Sequence, residues 1–318
     1  MLHLRIYAAA DVAEATVEIL TADPAVSGLA VLRGASVSPP GDVVLADVAR
    51  EAANDVIDRL RELGLQRDGA LHIQPVQAWI SQPGFAAERL APGSSADAVV
   101  WAEVVQRSYD DSELNWTYLS FMSLATLLAS IAIVLDSQVL VIGAMILGPD
   151  FGPVAALGVA LVRRRWTLLR LAVRTLLLGF GAAIACATVF ALSARGLGWI
   201  TTTDITAARP GTAFIYTPDK WSFIVALIAA AAGTLSLTSA KVGGLSGVFI
   251  SVTTVPAAGN IALALAFGAG GELWGSALQL IINLTGMGLA GWATLTVQKI
   301  VWSRISLRRT RPNPSPHE

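Results

Sequence analysis

Long apolar runs dominate residues 117–300, and short polar stretches separate them. Six of these runs approach the roughly 20 residues that a membrane-spanning helix needs. Their approximate ranges are 117–135, 138–161, 167–192, 221–240, 243–268 and 273–298. The pattern therefore predicts an α-helical polytopic membrane bundle of about six spans, in which residues 193–220 form an aqueous loop.

Residues 1–80 follow a different pattern, in which strand-like alternation flanks two amphipathic segments. Strands are predicted at 2–9, 27–35, 42–48 and 70–78, and helices at 11–22 and 49–63. The order β-α-β-β-α-β is that of a ferredoxin-like α+β domain. We therefore expect a ferredoxin-like cytoplasmic domain at 1–80, a linker with an amphipathic helix at 81–116, a transmembrane domain at 117–300 and a basic cytoplasmic tail at 301–318.

Composition supports a membrane location. Hydrophobic residues make up 54% of the chain, charged residues only 14%, and the mean hydropathy is +0.61. An ordinary soluble domain is about one quarter charged. The chain shows no signal peptide with a basic start and an apolar centre, so we expect the N-terminus to stay in the cytoplasm.

The distribution of lysine and arginine predicts the orientation, because cytoplasmic loops carry an excess of both. With the N-terminus inside, the cytoplasmic connections and tail hold Arg163, Arg164, Arg165, Lys241, Lys299, Arg304, Arg308, Arg309 and Arg311. The opposite side holds only Arg195, Arg209 and Lys220. This asymmetry predicts a multi-pass protein of the cell (plasma) membrane with both termini in the cytoplasm.

The second and fifth predicted spans resemble each other. Residues 143–161 and 247–265 each start at a glycine, contain a proline near the centre and end in an Ala/Leu-rich run. Pro153 and Pro256 differ by one place in register. The two segments are the second members of successive groups of three spans, and because three is odd, the second copy would be inverted, which indicates a 3+3 inverted repeat. Interrupted helices in matching positions of such repeats are typical of transporter binding sites.

These interruptions define the candidate site. A proline lacks an N–H group and frees a backbone carbonyl one turn earlier, and such groups must find a partner inside a membrane. We expect a small solute or ion to bind between the two breaks. The candidate binding residues are Gly148, Pro149, Asp150, Gly152, Pro153, Thr253, Thr254, Pro256 and Asn260. Gly181, Gly286 and Gly291 are expected to allow close helix packing.

Asp150 is the most informative of these residues, because a carboxylate at membrane depth is costly and indicates function. It could bind a cation, carry a proton or attract a basic solute. The alternative is a structural ion pair with Arg174, which lies one turn beyond Arg170 in the third span. Both arginines could instead extend to the membrane surface.

Enzyme chemistry finds no support in the sequence. Ser246 lies in a Gly-Leu-Ser-Gly sequence like that of rhomboid-type proteases, but no histidine occurs in any predicted span to activate it. Asp150 has no second aspartate at membrane depth, because Asp136 falls at a helix end. The single cysteine, Cys186, and the three histidines form no metal-binding pattern. We therefore expect no enzymatic activity, no cofactor and no metal site.

The second predicted span also resembles a known family. Several short segments resemble the domain-of-unknown-function family 389. They are Leu135-Asp136-Ser137, residues 141–146 (Val-Ile-Gly-Ala-Met-Ile) and the Gly-Pro pairs at 148–149 and 152–153. These proteins are uncharacterised hydrophobic-domain membrane proteins of bacteria and archaea. Residues 246–248 and 255–260 fit the second proline-containing segment of that family. The resemblance implies a membrane fold but no substrate, and Asp150 stands where the family usually has an apolar residue.

Three functions remain open at this stage. The leading hypothesis is a transporter or channel for a small solute or ion at the two breaks. The alternative is a membrane-anchored sensor or regulator whose ferredoxin-like domain binds a ligand, and the third is a structural or lipid-interacting scaffold. The expected partners are the lipid bilayer and a small solute or ion, with no nucleic acid, and homo-oligomerisation remains open.

Overall fold

The computed structural model describes residues 1–309 apart from 92, 94, 96, 208, 216–219 and 240–253. The chain forms two compact units. The first contains Met1–Val104, Thr238–Lys241 and Gln298–Glu318, and the second contains Val105–Leu237 and Val242–Val297.

The first unit contains a four-stranded antiparallel sheet. Its elements are β1 (Leu2–Ala9), α1 (Ala10–Thr21), β2 (Val26–Val37), β3 (Pro40–Val48), α2 (Ala53–Glu62), α3 (Leu65–Asp68) and β4 (Ala70–Pro75). The strands lie in the order β2-β3-β1-β4, and each neighbouring pair is antiparallel. The four strands and two main helices occur where the sequence predicts them, with ends shifted by a few residues.

Alternation along β1 separates a core face from an open face. Leu4 and Ile6 point into a core that also contains Leu20 of α1 and Leu60 of α2. Because side chains alternate along a strand, His3, Arg5 and Tyr7 lie on the opposite face of the sheet. The helices therefore cover one face of the sheet, and β1 lines the other with polar and aromatic groups.

Part of the segment expected to be a linker is helical. Helix α4 spans Gln82–Leu90, and the Ser81 side chain caps it by accepting a hydrogen bond from the Gly84 N–H at 3.1 Å. Pro83 lies in the first turn, where a helix needs no N–H donor. The Phe85 ring stacks against Trp79. Pro83 and Gly84 therefore mark the start of a helix rather than a break.

Helix α5 spans Trp101–Asp111, a few residues later than the amphipathic helix predicted at 96–108. The preceding residue, Val100, packs with Leu2, Ala53 and Ile57. Ser112 follows the end of α5 and already belongs to the second unit, where its backbone carbonyl accepts a hydrogen bond from the hydroxyl of Thr175.

Glu51 provides a test of electrostatics in the first unit. Burial raises the pKa of its carboxyl above the ordinary value, so the folded state holds the proton more tightly than the unfolded state. Stability therefore falls as the pH rises through that pKa. We expect Glu51→Gln to raise the melting temperature at pH 7 and to leave it unchanged below pH 4. The exposed Glu62→Gln is the matched control, and an equal gain in both variants would contradict the prediction.

The remaining helices are apolar or connect apolar segments. They are α6 (Trp116–Val134), α7 (Gln138–Leu147), α8 (Phe151–Arg163), α9 (Trp166–Gly196), α10 (Thr202–Thr206), α11 (Lys220–Thr238), α12 (Thr254–Phe267) and α13 (Gly270–Arg309).

Three of these helices are long and apolar enough to cross a membrane within the described residues. They are α6, α9 and the segment Gly270–Trp302 of α13. Helices α7 and α8 form a fourth candidate if they count as one span, because they meet at a bend of 55°. Phe223–Thr238 and Thr254–Phe267 are shorter apolar helices. The described residues thus contain three to four candidate spans by length and composition, which is consistent with a multi-pass membrane protein.

Glycines allow close helix crossings in the second unit. A Cβ atom on Gly158 of α8 would lie 2.9 Å from the Gly291 carbonyl carbon of α13. A Cβ atom on Gly259 of α12 would lie 3.0 Å from the Ala129 Cβ of α6. Small residues bring membrane helices together in this way. The expectation for Gly181 is wrong, because no atom of the described residues lies within 4 Å of its Cβ position.

Candidate functional site

The second predicted span is interrupted where its prolines and glycines indicate. Helix α7 ends before Gly148, which has an extended backbone, and α8 starts after Asp150. Pro153 occupies the third position of α8, where a missing N–H costs no hydrogen bond. Pro256 occupies the same position in the described part of α12, which starts at Thr254. Pro153 thus lies in the first turn of α8, and Pro256 lies in the first turn of the described part of α12.

Asp150 and Thr254 meet between these helices. The Thr254 hydroxyl donates a hydrogen bond to Asp150 Oδ2 at 2.5 Å, and both residues are fully buried. The adjacent Val255 packs against Ala125 and Ala129, midway along α6. The structure therefore brings together the polar residues of the two predicted breaks. Thr253, the other predicted threonine, lies outside the described residues.

The position of Asp150 at the start of α8 affects its electrostatics. Backbone N–H groups at a helix N-terminus carry a partial positive charge, which favours a nearby carboxylate. Asp150 makes no side-chain capping bond to α8. Its carboxylate instead lies against Thr254, the first residue of the described part of α12. This arrangement places a carboxylate and a hydroxyl, two groups that can exchange protons or bind an ion, at a buried junction.

Tyr118 also belongs to this junction. The sequence did not predict this role, because the residues around Tyr118 are apolar. Its side chain packs in one cluster with Val154 of α8 and lies within electrostatic range of Asp150. Its hydroxyl is buried and has no hydrogen-bond partner among the described residues. Gly179 of α9 leaves the space for the ring, because a Cβ atom there would lie 2.6 Å from Tyr118 Cε1.

Gly152 is required at the junction for a similar reason. A Cβ atom on Gly152 would lie 2.7 Å from the Asp111 Cβ. Burial raises the pKa of the Asp111 carboxyl, whereas Arg107 nearby lowers it. The end of α5 therefore packs directly against the first turn of α8 and places a second carboxyl close to the break.

Asn260 does not join Asp150 and Thr254. It lies six residues after Thr254, which is roughly 9 Å along the helix axis. Its amide nitrogen donates hydrogen bonds to Ser276 Oγ at 2.9 Å and to Glu272 Oε2 at 3.2 Å. Arg209, from the loop after α9, donates from one guanidinium nitrogen to both Glu272 oxygens at 2.6 Å. The predicted site therefore divides into two polar clusters along α12.

Helix α13 adds polar residues that the sequence prediction missed or left unassigned. Glu272, Ser276, Gln279 and Asn283 recur at intervals of four, three and four residues, so they share one face of the helix, which we call the polar stripe. Three of the four are fully buried. Neither amide atom of Gln279 has a hydrogen-bond partner among the described residues. The helical spacing of these residues within an apolar span was the signal available in the sequence.

The alternative of an ion pair between Asp150 and Arg174 finds no support. Arg174 is exposed on α9, as is Arg170. Neither arginine forms an ion pair with any described residue. Among the described residues, the Thr254 hydroxyl donates a hydrogen bond to the Asp150 carboxylate. In addition, no group of three or more metal-binding side chains occurs among the described residues.

Comparison with known proteins gives one match. Residues 145–289 match the family model described as "Domain of unknown function (DUF389)". This match confirms the resemblance seen in the second and fifth predicted spans, and it includes both interrupted segments. No curated protein and no solved structure gives a significant match.

Proposed function

We propose that this chain, whose residues 145–289 match the DUF389 family model, is a transporter or channel for a small solute or ion. One observation carries the proposal: the hydrogen bond between Thr254 and Asp150, which joins the break between α7 and α8 to the start of the described part of α12 at a buried position. Helix breaks inside a membrane persist where the freed backbone groups line a cavity or a binding site. An ionisable residue at such a place is a functional group by default.

The polar stripe of α13 supports a solute path that continues from the junction of Asp150 and Thr254. A buried polar group without a hydrogen-bond partner costs about 1–3 kcal/mol, which favours contact with water or a solute. Gln279 carries two such atoms, and Asn260 carries one in its amide oxygen. These groups lie on the two helices, α12 and α13, that also carry Thr254 and Glu272. The solute would therefore contact α12 and α13 on its way past Asp150.

The proposal includes six spans in two inverted groups of three, with both termini in the cytoplasm. Helices α11 and α12 supply the fourth and fifth spans, and the α7–α8 pair supplies the second. The excess of lysine and arginine in the connections on one side supports this orientation. It places the Arg209 loop on the outer face of the membrane and the N-terminal unit inside the cell.

Flux measurements with the full chain in proteoliposomes test the proposal. Gradients of H⁺, Na⁺, K⁺ and Cl⁻ are applied in turn, with electrical and pH-sensitive dye readouts, and glycerol and urea are followed by light scattering. We expect flux of at least one probe above that of empty liposomes. Asp150→Asn and Thr254→Val should each reduce that flux at least tenfold, whereas Thr254→Ser, which keeps the hydroxyl, should retain most of it.

Thr188→Val is the matched control, because among the described residues the Thr188 hydroxyl bonds only to the Ile184 carbonyl of its own helix. Its flux should equal that of the unchanged protein. Flux that survives both Asp150→Asn and Thr254→Val would refute the assignment of this site. Absence of flux for every probe would count against transport itself.

A second candidate function is ligand sensing by the first unit, for which we infer a ferredoxin-like fold. Its strand order and antiparallel pairing support that fold. On the open face of the sheet, Arg5 Nη2 contacts His72 Nδ1 at 3.2 Å, and the Tyr7 ring lies 5.4 Å from that of His72. These groups suit an anionic ligand. A melting temperature of the full chain that rises with phosphate, citrate or ATP, and not in Arg5→Gln, would favour this function.

A further inference from the structure

One face of α9 carries an open groove that is lined by both apolar and cationic side chains. The groove has a volume of about 590 Å³, and its lining consists of Leu169, Arg170, Val173, Arg174, Leu177 and Leu178. The two arginines are four residues apart, so they lie one turn from each other on the same face. Both are exposed, and neither has an acidic partner among the described residues. The groove therefore combines an apolar floor with two cationic side chains.

The sequence of α9 fixes where this groove meets the membrane. No charged residue occurs between Arg174 and Arg195, which leaves 20 residues, Thr175–Ala194. At about 1.5 Å per residue they cover roughly 30 Å, the thickness of the hydrocarbon core. Arg174 therefore lies at the boundary of the hydrocarbon core, and Arg170 lies one turn further out, at the level of the lipid headgroups. Trp166, exposed and one turn beyond Arg170, is typical of that interface.

We propose that this groove binds an anionic phospholipid of the leaflet that contains the start of α9. The lipid phosphate contacts the guanidinium groups of Arg170 and Arg174, since arginine donors match phosphate oxygens. One acyl chain lies along Val173, Leu177 and Leu178, which continue the groove toward the hydrocarbon core. The site is separate from the Asp150 junction, and its occupancy does not depend on transport.

Charge complementarity selects this occupant over the others. An acyl chain alone would fill the apolar part but would leave two guanidinium groups without an anion. A soluble phosphate would neutralise the arginines but would leave the leucines and Val173 uncovered. A second copy of the chain would have to bring an acidic group to the depth of Arg174. An anionic phospholipid supplies both the apolar chain and the negative charge at the required depth.

Native mass spectrometry of the purified full chain tests the proposal with defined lipids. Phosphatidylglycerol and phosphatidylcholine with the same acyl chains are titrated separately, and free glycerol 3-phosphate serves as a competitor. We expect phosphatidylglycerol to bind more tightly than phosphatidylcholine. Arg170→Gln/Arg174→Gln should weaken phosphatidylglycerol binding roughly 25-fold, about fivefold for each arginine. Arg170→Lys/Arg174→Lys, which keeps both charges, should remain within about fivefold of the unchanged protein.

Arg61→Gln/Arg67→Gln is the matched control, because it removes the same charge from the first unit. Its binding of phosphatidylglycerol should be unchanged. Equal weakening in the control pair would show a general charge effect and overturn the site, as would equal affinity for the two lipids. Full displacement by equimolar glycerol 3-phosphate would show that the acyl chain contributes nothing. Formation of a dimer on removal of lipid, without any selective lipid binding, would identify a second copy as the occupant.

Discussion

Replacing Arg209 with leucine is expected to lower the free energy of unfolding by about 3–5 kcal/mol, because it leaves a partly buried carboxylate without its cation. The Arg209 side chain is 3% exposed, and its guanidinium donates to both oxygens of Glu272, whose side chain is 21% exposed. Glu272 also accepts a hydrogen bond from Asn260. The variant should therefore melt at a much lower temperature in detergent, as tryptophan fluorescence can show.

A double substitution separates the ion pair from simple loss of packing. When both charges are replaced by apolar side chains of similar size, much of the cost of a broken buried pair disappears. Arg209→Met/Glu272→Met should therefore be more stable than Arg209→Met alone. If the changes in free energy of unfolding caused by Arg209→Met and by Glu272→Met simply add in the double variant, the two side chains act independently. That result would contradict the assigned ion pair.

Substitution of Gly158 by leucine is expected to separate α8 from α13 and to cause a comparably large loss of stability. Its Cβ would lie 2.9 Å from both the Gly291 carbonyl carbon and the Trp292 backbone nitrogen. Backbone atoms cannot rotate away as a side chain can, so the helices must move apart. Overpacking of a tight contact costs about 1–3 kcal/mol or more. Thermal unfolding in detergent measures the effect.

Gly181→Ala is the control for this prediction. Gly181 also lies inside an apolar helix, but in the part of the chain that the structure describes no atom lies within 4 Å of its Cβ position. Alanine favours a helix over glycine by up to about 1 kcal/mol. We therefore expect opposite signs: Gly158→Ala destabilises the protein, and Gly181→Ala leaves it equally or more stable. A loss of stability in both variants would indicate a general requirement for glycine rather than one close crossing.

Local patterns in the sequence predicted most of the secondary structure correctly. Alternation along residues 2–9 identified β1, and the proline and glycine content of residues 148–153 identified the break between α7 and α8. Residues 82–90 were interpreted as a linker because Pro83 and Gly84 usually interrupt helices. The decisive feature there was the position of Pro83 in the first turn, next to the Ser81 cap. Proline can mark either the end or the start of a helix, and composition alone does not distinguish the two.

The candidate site was predicted less completely than the helices that carry it. Matching prolines predicted that the two breaks would meet, and Asp150 and Thr254 do so. Hydropathy placed Glu272 just before a span, so its bonds to Arg209 and Asn260 were missed. By its depth in the third predicted span, Arg174 could reach Asp150. In the structure, however, it lies on the exposed face of α9. Depth along a span follows from sequence, whereas the rotation of a helix depends on its neighbours, which hydropathy does not report.

The polar stripe of α13 has a consequence for how the protein is made. During synthesis each helix must pass from the translocation channel into lipid, and polar side chains near the helix centre oppose that step. Gln279 and Asn283 lie within the apolar part of α13, and the Ser276 hydroxyl already accepts a hydrogen bond from Asn260 of α12. We therefore expect α13 to leave the channel together with α12, as a hairpin whose polar groups face each other. In that case the ribosome must complete both helices before either becomes stably inserted.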